Sequence, residues 1–113
     1  MTELCLQVYP HRSPELDIPA LISECERLSV ENRLISRFWH NDGFDQHAYL
    51  NLAFETGCPK FLWHLLSERL YGAGALGQLL SASSIVTCQG QSGWDDYLLL
   101  HHYDAEQRYD AFP

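Results

Sequence analysis

The hydrophobic period of this chain switches from two to 3.6 and back, twice, and no other feature restricts its fold as strongly. Residues 3–9, ELCLQVY, alternate: Leu4, Leu6 and Val8 point one way, and Cys5, Gln7 and Tyr9 the other, as in a half-buried strand. Pro10 and Pro14 bracket a turn. Asp17 then stands where a helix N-cap belongs, and Ile18, Leu21, Ile22, Cys25 and Leu28 recur along one helical face. Pro19 is tolerable there because it falls in the first turn. Alternation returns over residues 33–40 and 47–55, separated by a loop at 41–46 whose Asp42-Gly43 supplies hairpin chemistry. This pairing predicts Leu34 and Phe38 on one face with Leu50, Leu52 and Phe54.

Thr56-Gly57-Cys58-Pro59 opens a second helix, with Phe61, Leu62, Leu65, Leu66 and Leu70 as its buried stripe. Gly72, Gly74 and Gly77 cost too much for that helix to continue, so they predict a kink or a helix–helix junction. The run is no phosphate cradle: it follows a helix rather than a strand and lacks the Lys-Ser/Thr ending. A short amphipathic piece with Leu79 and Leu80 comes next, then strands at 84–89 and 96–103.

The order is strand, helix, strand, strand, helix, strand, strand. Its first six elements predict an α+β domain over 1–113: a ferredoxin-like βαββαβ sandwich with an extra C-terminal β-hairpin strand. Right-handed crossovers put the helices on one face of an antiparallel sheet. Strands one and three are expected in the centre, with strand two at one edge and the hairpin at the other. The 113 residues suit one domain with a sizeable core, and the last ten form a polar, aromatic tail.

Charge and cysteine usage narrow the function classes. Fifteen acidic residues against seven basic ones leave a formal charge of −8. That field repels nucleic acid, whose binding needs Lys and Arg on phosphates, and attracts a basic partner protein. No apolar run approaches the ~20 residues of a membrane span. Cys5, Cys25, Cys58 and Cys88 form no CxxC pair and none lies two to five residues from a histidine, so neither structural zinc nor a redox motif is predicted, and no cofactor. An initial Met running straight into a strand argues against a signal peptide, and the expected location is the reducing cytoplasm.

Two constellations remain. The predicted layout gathers His11, Arg12, His40, Asp42, Asp45, His47, His101, His102 and Asp104 near one rim of the sheet. His40, Asp42 and His47 are the candidate metal ligands there, since imidazole and carboxylate suit zinc, iron, nickel or manganese. They converge only if the hairpin register brings the two histidines to one face; otherwise they are solvated rim residues. The second constellation is the face away from the helices: Cys5, Gln7 and Tyr9, then Ile35, Arg37 and Trp39, then Tyr49, Asn51 and Ala53. Tyr, Trp and Arg are the types enriched at interface hot spots. Either a partner covers this face, or the tail does through Tyr103, Tyr109 and Phe112.

Catalysis has little support. Ser13, Ser67 and Ser92 lack a glycine elbow, His64 reads as a helix-surface residue, and Asp95 and Asp96 point apart on entering a strand. The leading expectation is a small acidic protein-binding module, of inhibitor or immunity type. Tyr9, Arg37, Trp39 and Tyr49 are its anchors, and Asp42, Asp45, Asp95 and Asp96 its acidic contacts. The alternative is a dimeric α+β-barrel enzyme or ligand-binding protein, with His40, His47, Tyr9 and Tyr49 lining a pocket. A structural subunit of a larger complex is a third.

Overall fold

A computed structural model describes residues 1–72, 74–90 and 96–112. Its elements are β1 (Thr2–Val8), a 3-10 turn at Pro10–Arg12, α1 (Ile18–Glu31), β2 (Arg37–Asp45), β3 (His47–Thr56), α2 (Pro59–Arg69), α3 (Ala75–Ser81), β4 (Ser84–Gln89) and β5 (Tyr97–His101). The fold is α+β, with three helices and a five-stranded antiparallel sheet among the described residues, in the order β2-β3-β1-β4-β5. Helix α1 starts at Asp17, whose Oδ1 accepts the Ala20 amide at 3.1 Å, and Pro19 lies in the first turn.

The alternation seen in the sequence builds the core. Leu6 faces Leu52 on one neighbour and Val86 on the other, and all three are fully buried. Phe54 packs against Phe38 with ring centroids 4.9 Å apart. Leu21, Cys25 and Leu28 of α1, Leu62 and Leu66 of α2 and Leu80 of α3 join this same cluster, so the helices share one face of the sheet. Buried hydroxyls are all partnered: Ser13 and Ser83 donate to the Leu79 carbonyl, and Ser84 donates to that of Leu80 and meets the Tyr71 hydroxyl. Among the described residues no helix is long and apolar enough to cross a membrane.

Several expectations change. The helix–helix junction expected at the glycines holds, with α2 stopping at Arg69 and α3 starting at Ala75, but Phe61, placed in the buried stripe of α2, is exposed. Gly77 of α3 sits against the Gly72 carbonyl, where a Cβ has no room. The expected loop at 41–46 is mostly strand: β2 and β3 pair continuously from Arg37↔Glu55 to Asp45↔His47, and Gln46 alone turns the chain at φ 64°. Pairing with a long, half-buried β3 outweighs the local turn preference of Asp42-Gly43. Leu34 and Ile35 precede β2, and Ile35 is buried in the core rather than displayed on the open face. Strand β5 is shorter than expected, ending at His101.

Candidate binding surface

The β2–β3 register decides which side chains share a face, because directly opposed residues point the same way. Trp39 faces Ala53, Asn41 faces Asn51, Gly43 faces Tyr49 and Asp45 faces His47. On the next strand Gln7 faces Asn51. Tyr9, Arg37, Trp39, Tyr49 and Asp45 therefore stand on the side away from the helices. Phe38, His40, Asp42 and Phe44 stand on the helix side, opposite Phe54, Leu52, Leu50 and Ala48.

A directed chain of hydrogen bonds crosses the open face. The Tyr9 hydroxyl donates to Gln7 Oε1 at 2.5 Å, Gln7 Nε2 donates to Asn51 Oδ1 at 3.1 Å, and Asn51 Nδ2 donates to Asn41 Oδ1 at 3.1 Å. The chain runs from β1 through β3 to β2, and Asn41 Nδ2 has no partner among the described residues. Aromatic groups flank it. The Arg37 guanidinium lies 4.6 Å from the Trp39 ring centroid, and the Tyr49 ring lies over Gly43, filling the space a side chain there would need.

At the rim, the 3-10 turn brings His11 onto His47: the rings stack with centroids 3.9 Å apart, and Tyr9 meets His11 edge-on. Arg12 sits 3.7 Å above the Tyr103 ring, which in turn packs edge-on against Tyr9. These groups and Asp45 line a cleft of about 340 Å³. Desolvation in the stack, then the charges of His47 and Arg12, hold the His11 imidazole below its ordinary value. Burial, followed by Tyr103, Asp45 and Tyr49, raises the Tyr9 phenol, which stays a hydrogen-bond donor at neutral pH.

The histidine-rich rim is thus split. His40 and Asp42 line a groove against Ile18 and Ile22 of α1, on the side opposite His47. Among the described residues no three His, Cys, Asp or Glu side chains are placed to hold a metal ion. His101 meets the Ser81 carbonyl at the end of α3 at 2.9 Å, and burial lowers its basicity. His102 Nδ1 accepts the Asp104 amide. Asp96 accepts the Gly90 amide through its carbonyl where β4 and β5 open; Asp95 lies outside the described residues.

The tail does not cover the open face as a whole. Tyr103 covers only its Tyr9 end. Asp110 instead bonds the backbone of Leu99 on β5, Tyr109 lies by His101, and Phe112 packs on the core cluster. Sequence reading missed Asn41 and the role of Gln7 and Asn51 as a linked chain. The signal was present: amides at positions 7 and 51 share one parity with Tyr9 and Tyr49, but linking them to Asn41 requires the register. Comparison of the chain with models of protein families, with curated proteins and with solved structures finds no match.

Proposed function

We propose that the open face is a protein-docking surface and that the chain acts as a small acidic binding module, of inhibitor or immunity type, on a basic partner protein in the reducing cytoplasm. The observation that carries this reading is the grouping of Tyr9, Arg37, Trp39 and Tyr49 on one sheet face that no helix covers. Such side chains combine a rigid apolar body with a polar tip, which suits the centre of an interface. The amide chain adds donors and acceptors held in place before binding, which lowers the cost of ordering. Asp45 lies at one end of the face. The net charge of −8 steers a basic partner toward it. In this reading the layout is ferredoxin-like with an added strand, and its helix-free face is the working surface.

The competing reading, in which two open faces enclose a histidine-lined pocket, keeps His47, Tyr9 and Tyr49 but loses His40 to the helix side.

The test is capture of partners by the tagged chain at low and high salt, with Trp39→Ala/Tyr49→Ala in parallel. One stoichiometric basic partner, released by salt and lost from the double variant, supports the reading. With that partner in hand, Asp45→Ala should slow association at low salt and Trp39→Ala should hasten dissociation. A partner held equally by the double variant would sink the assignment of this face.

A further inference from the structure

We propose that β2 is the seam of a two-fold homodimer, in which two copies of the chain join edge to edge into one continuous ten-stranded sheet. This goes beyond the docking of a basic partner: it uses the backbone edge of β2, although Arg37, Trp39 and Asp45 belong to both surfaces.

The starting point is an edge without a neighbour. Strand β2 runs for nine residues, Arg37–Asp45, and pairs only with β3 among the described residues. Its outer row of amides and carbonyls is therefore a template for another strand. The opposite edge differs: Asp110 of the tail satisfies both the amide and the carbonyl of Leu99 on β5. Natural edges are blunted by Lys, Pro, shortness, a bulge or an inward-pointing charge; β2 has none of the first four, and its helix-side Asp42 falls opposite His40 in the pairing below.

The sequence of β2, RFWHNDGFD, says what fits beside it. Laid antiparallel against itself about a two-fold axis at Asn41, it places Arg37 opposite Asp45 and His40 opposite Asp42, each twice. Phe38 falls opposite Phe44, and Trp39 opposite Gly43. The pairs are matched chemically: guanidinium with carboxylate, imidazole with carboxylate, and ring with ring, while Trp39 falls beside the Tyr49 ring that covers Gly43. The faces also agree. Arg37, Trp39, Asn41, Gly43 and Asp45 share the open side, and Phe38, His40, Asp42 and Phe44 the helix side. Both copies would keep their helices on the same face.

Other registers are worse. A shift of the axis to Asp42 sets that carboxylate against its own copy, and a shift to His40 leaves Arg37 opposite Gly43. An axis between residues pairs side chains of opposite faces.

Two further observations point to the same axis. Phe44 is 76 % exposed on the monomer, a large apolar ring without cover, and the pairing seats it beside Phe38, which is already packed on Phe54. The hydrogen-bond chain Tyr9–Gln7–Asn51–Asn41 ends at the edge, where Asn41 Nδ2 has no partner among the described residues. Across the axis it meets the Asn41 amide of the second copy, which joins the two chains of hydrogen bonds into one. The interface is isologous and self-complementary, as a two-fold dimer requires.

The experiment is sedimentation equilibrium of the wild-type chain and of Arg37→Asp, Asp45→Arg and the double swap. Both swapped positions are exposed, so an unchanged heteronuclear spectrum of each variant confirms that the fold is kept. The wild type should dimerise. Each single reversal should weaken the dimer about tenfold or more by facing like charges across the seam, and the double swap should restore most of that loss. Asn41→Cys in a Cys58→Ser background should form a disulfide between copies under mild oxidation, since directly opposed strand residues lie within bridging distance. A wild-type chain that stays monomeric throughout overturns the proposal. So does a dimer that ignores both reversals and is not trapped through position 41.

Discussion

The imidazoles of His11 and His47 stack face to face, 3.9 Å between centroids and 17° from parallel. One ring comes from the turn after β1 and the other from the first residue of β3, so the stack ties the turn end of the β2–β3 hairpin to the chain's first turn. The His11 imidazole is held below its ordinary value of 6.5, by desolvation first and then by the charges of His47 and Arg12. For a histidine lowered on folding, the unfolded chain binds the proton at higher pH than the folded one does. Stability from this contact is thus complete above the ordinary value and falls as pH drops below 6.5 toward the lowered value. An NMR titration should give His11 a midpoint below that of an ordinary histidine, and His47→Ala should move it upward. A His11 midpoint indifferent to His47→Ala would mean that the stack does not exist in solution.

Asn51 links the two outer strands of the chain across the open face, accepting from Gln7 of β1 and donating to Asn41 of β2. Its removal strands two amides at a half-buried surface, where water replaces part of what is lost. Asn51→Ala should therefore cost about 1 kcal/mol in urea-induced unfolding, and Tyr9→Phe, which removes only the terminal donor, should cost less. Equal losses would indicate that the amides act separately rather than as a chain.

Much of this arrangement was legible in the sequence because burial enforces period. Leu4, Leu6 and Val8, and Leu50, Leu52 and Phe54, alternate since one side of each strand faces the core, and α1 could be started at Asp17 from its cap alone. The hairpin was not legible to the same degree. Strand β2 is an edge strand exposed along most of its length, so little selects its pattern, and Asp42-Gly43 carries a turn signal that the pairing overrides. A turn placed at Gln46 rather than at Asp42-Gly43 extends β2 through Asp45. That extension puts Asp45 and His47 on the open face and His40 and Asp42 on the other. The candidate metal set depended on this register, and so came apart. The polar chain was hidden for the same reason, since amides three strands apart are neighbours only once the sheet order is known.

The cysteines should sort by exposure. Cys58 is exposed at the start of α2, and its side chain caps nothing. Burial pushes the Cys25 thiol up to about 12, and it pushes Cys5 and Cys88 each up to about 11. At neutral pH these three remain thiols, which are poor nucleophiles. A colorimetric thiol reagent should find one fast group in the native chain, lost in Cys58→Ser, and the other three only after unfolding. Fast labelling mapped to Cys25 or Cys88 in the native protein would contradict their burial.

The junction between α2 and α3 should be among the least tolerant points of the fold, for a reason beyond the core side chain of Leu70 that lies there. Gly77 falls within α3, where alanine is ordinarily the better helix former by about 1 kcal/mol. By propensity alone, Gly77→Ala would stabilise. The Gly72 carbonyl, however, occupies the space a Cβ would need, and it is backbone fixed by the turn between the two helices. The methyl group can be placed only by moving α3, which would displace Leu80 from the core and disturb the Ser83 and Ser84 hydroxyls that bond the carbonyls of Leu79 and Leu80. Overpacking of this kind costs roughly 1–3 kcal/mol, enough to reverse the propensity gain. Thermal unfolding of Gly77→Ala should therefore show a lower midpoint than the wild type, with Gln78→Ala, on the exposed side of the same helix, as the control for propensity. A higher midpoint for Gly77→Ala would show that the two helices are not held this close.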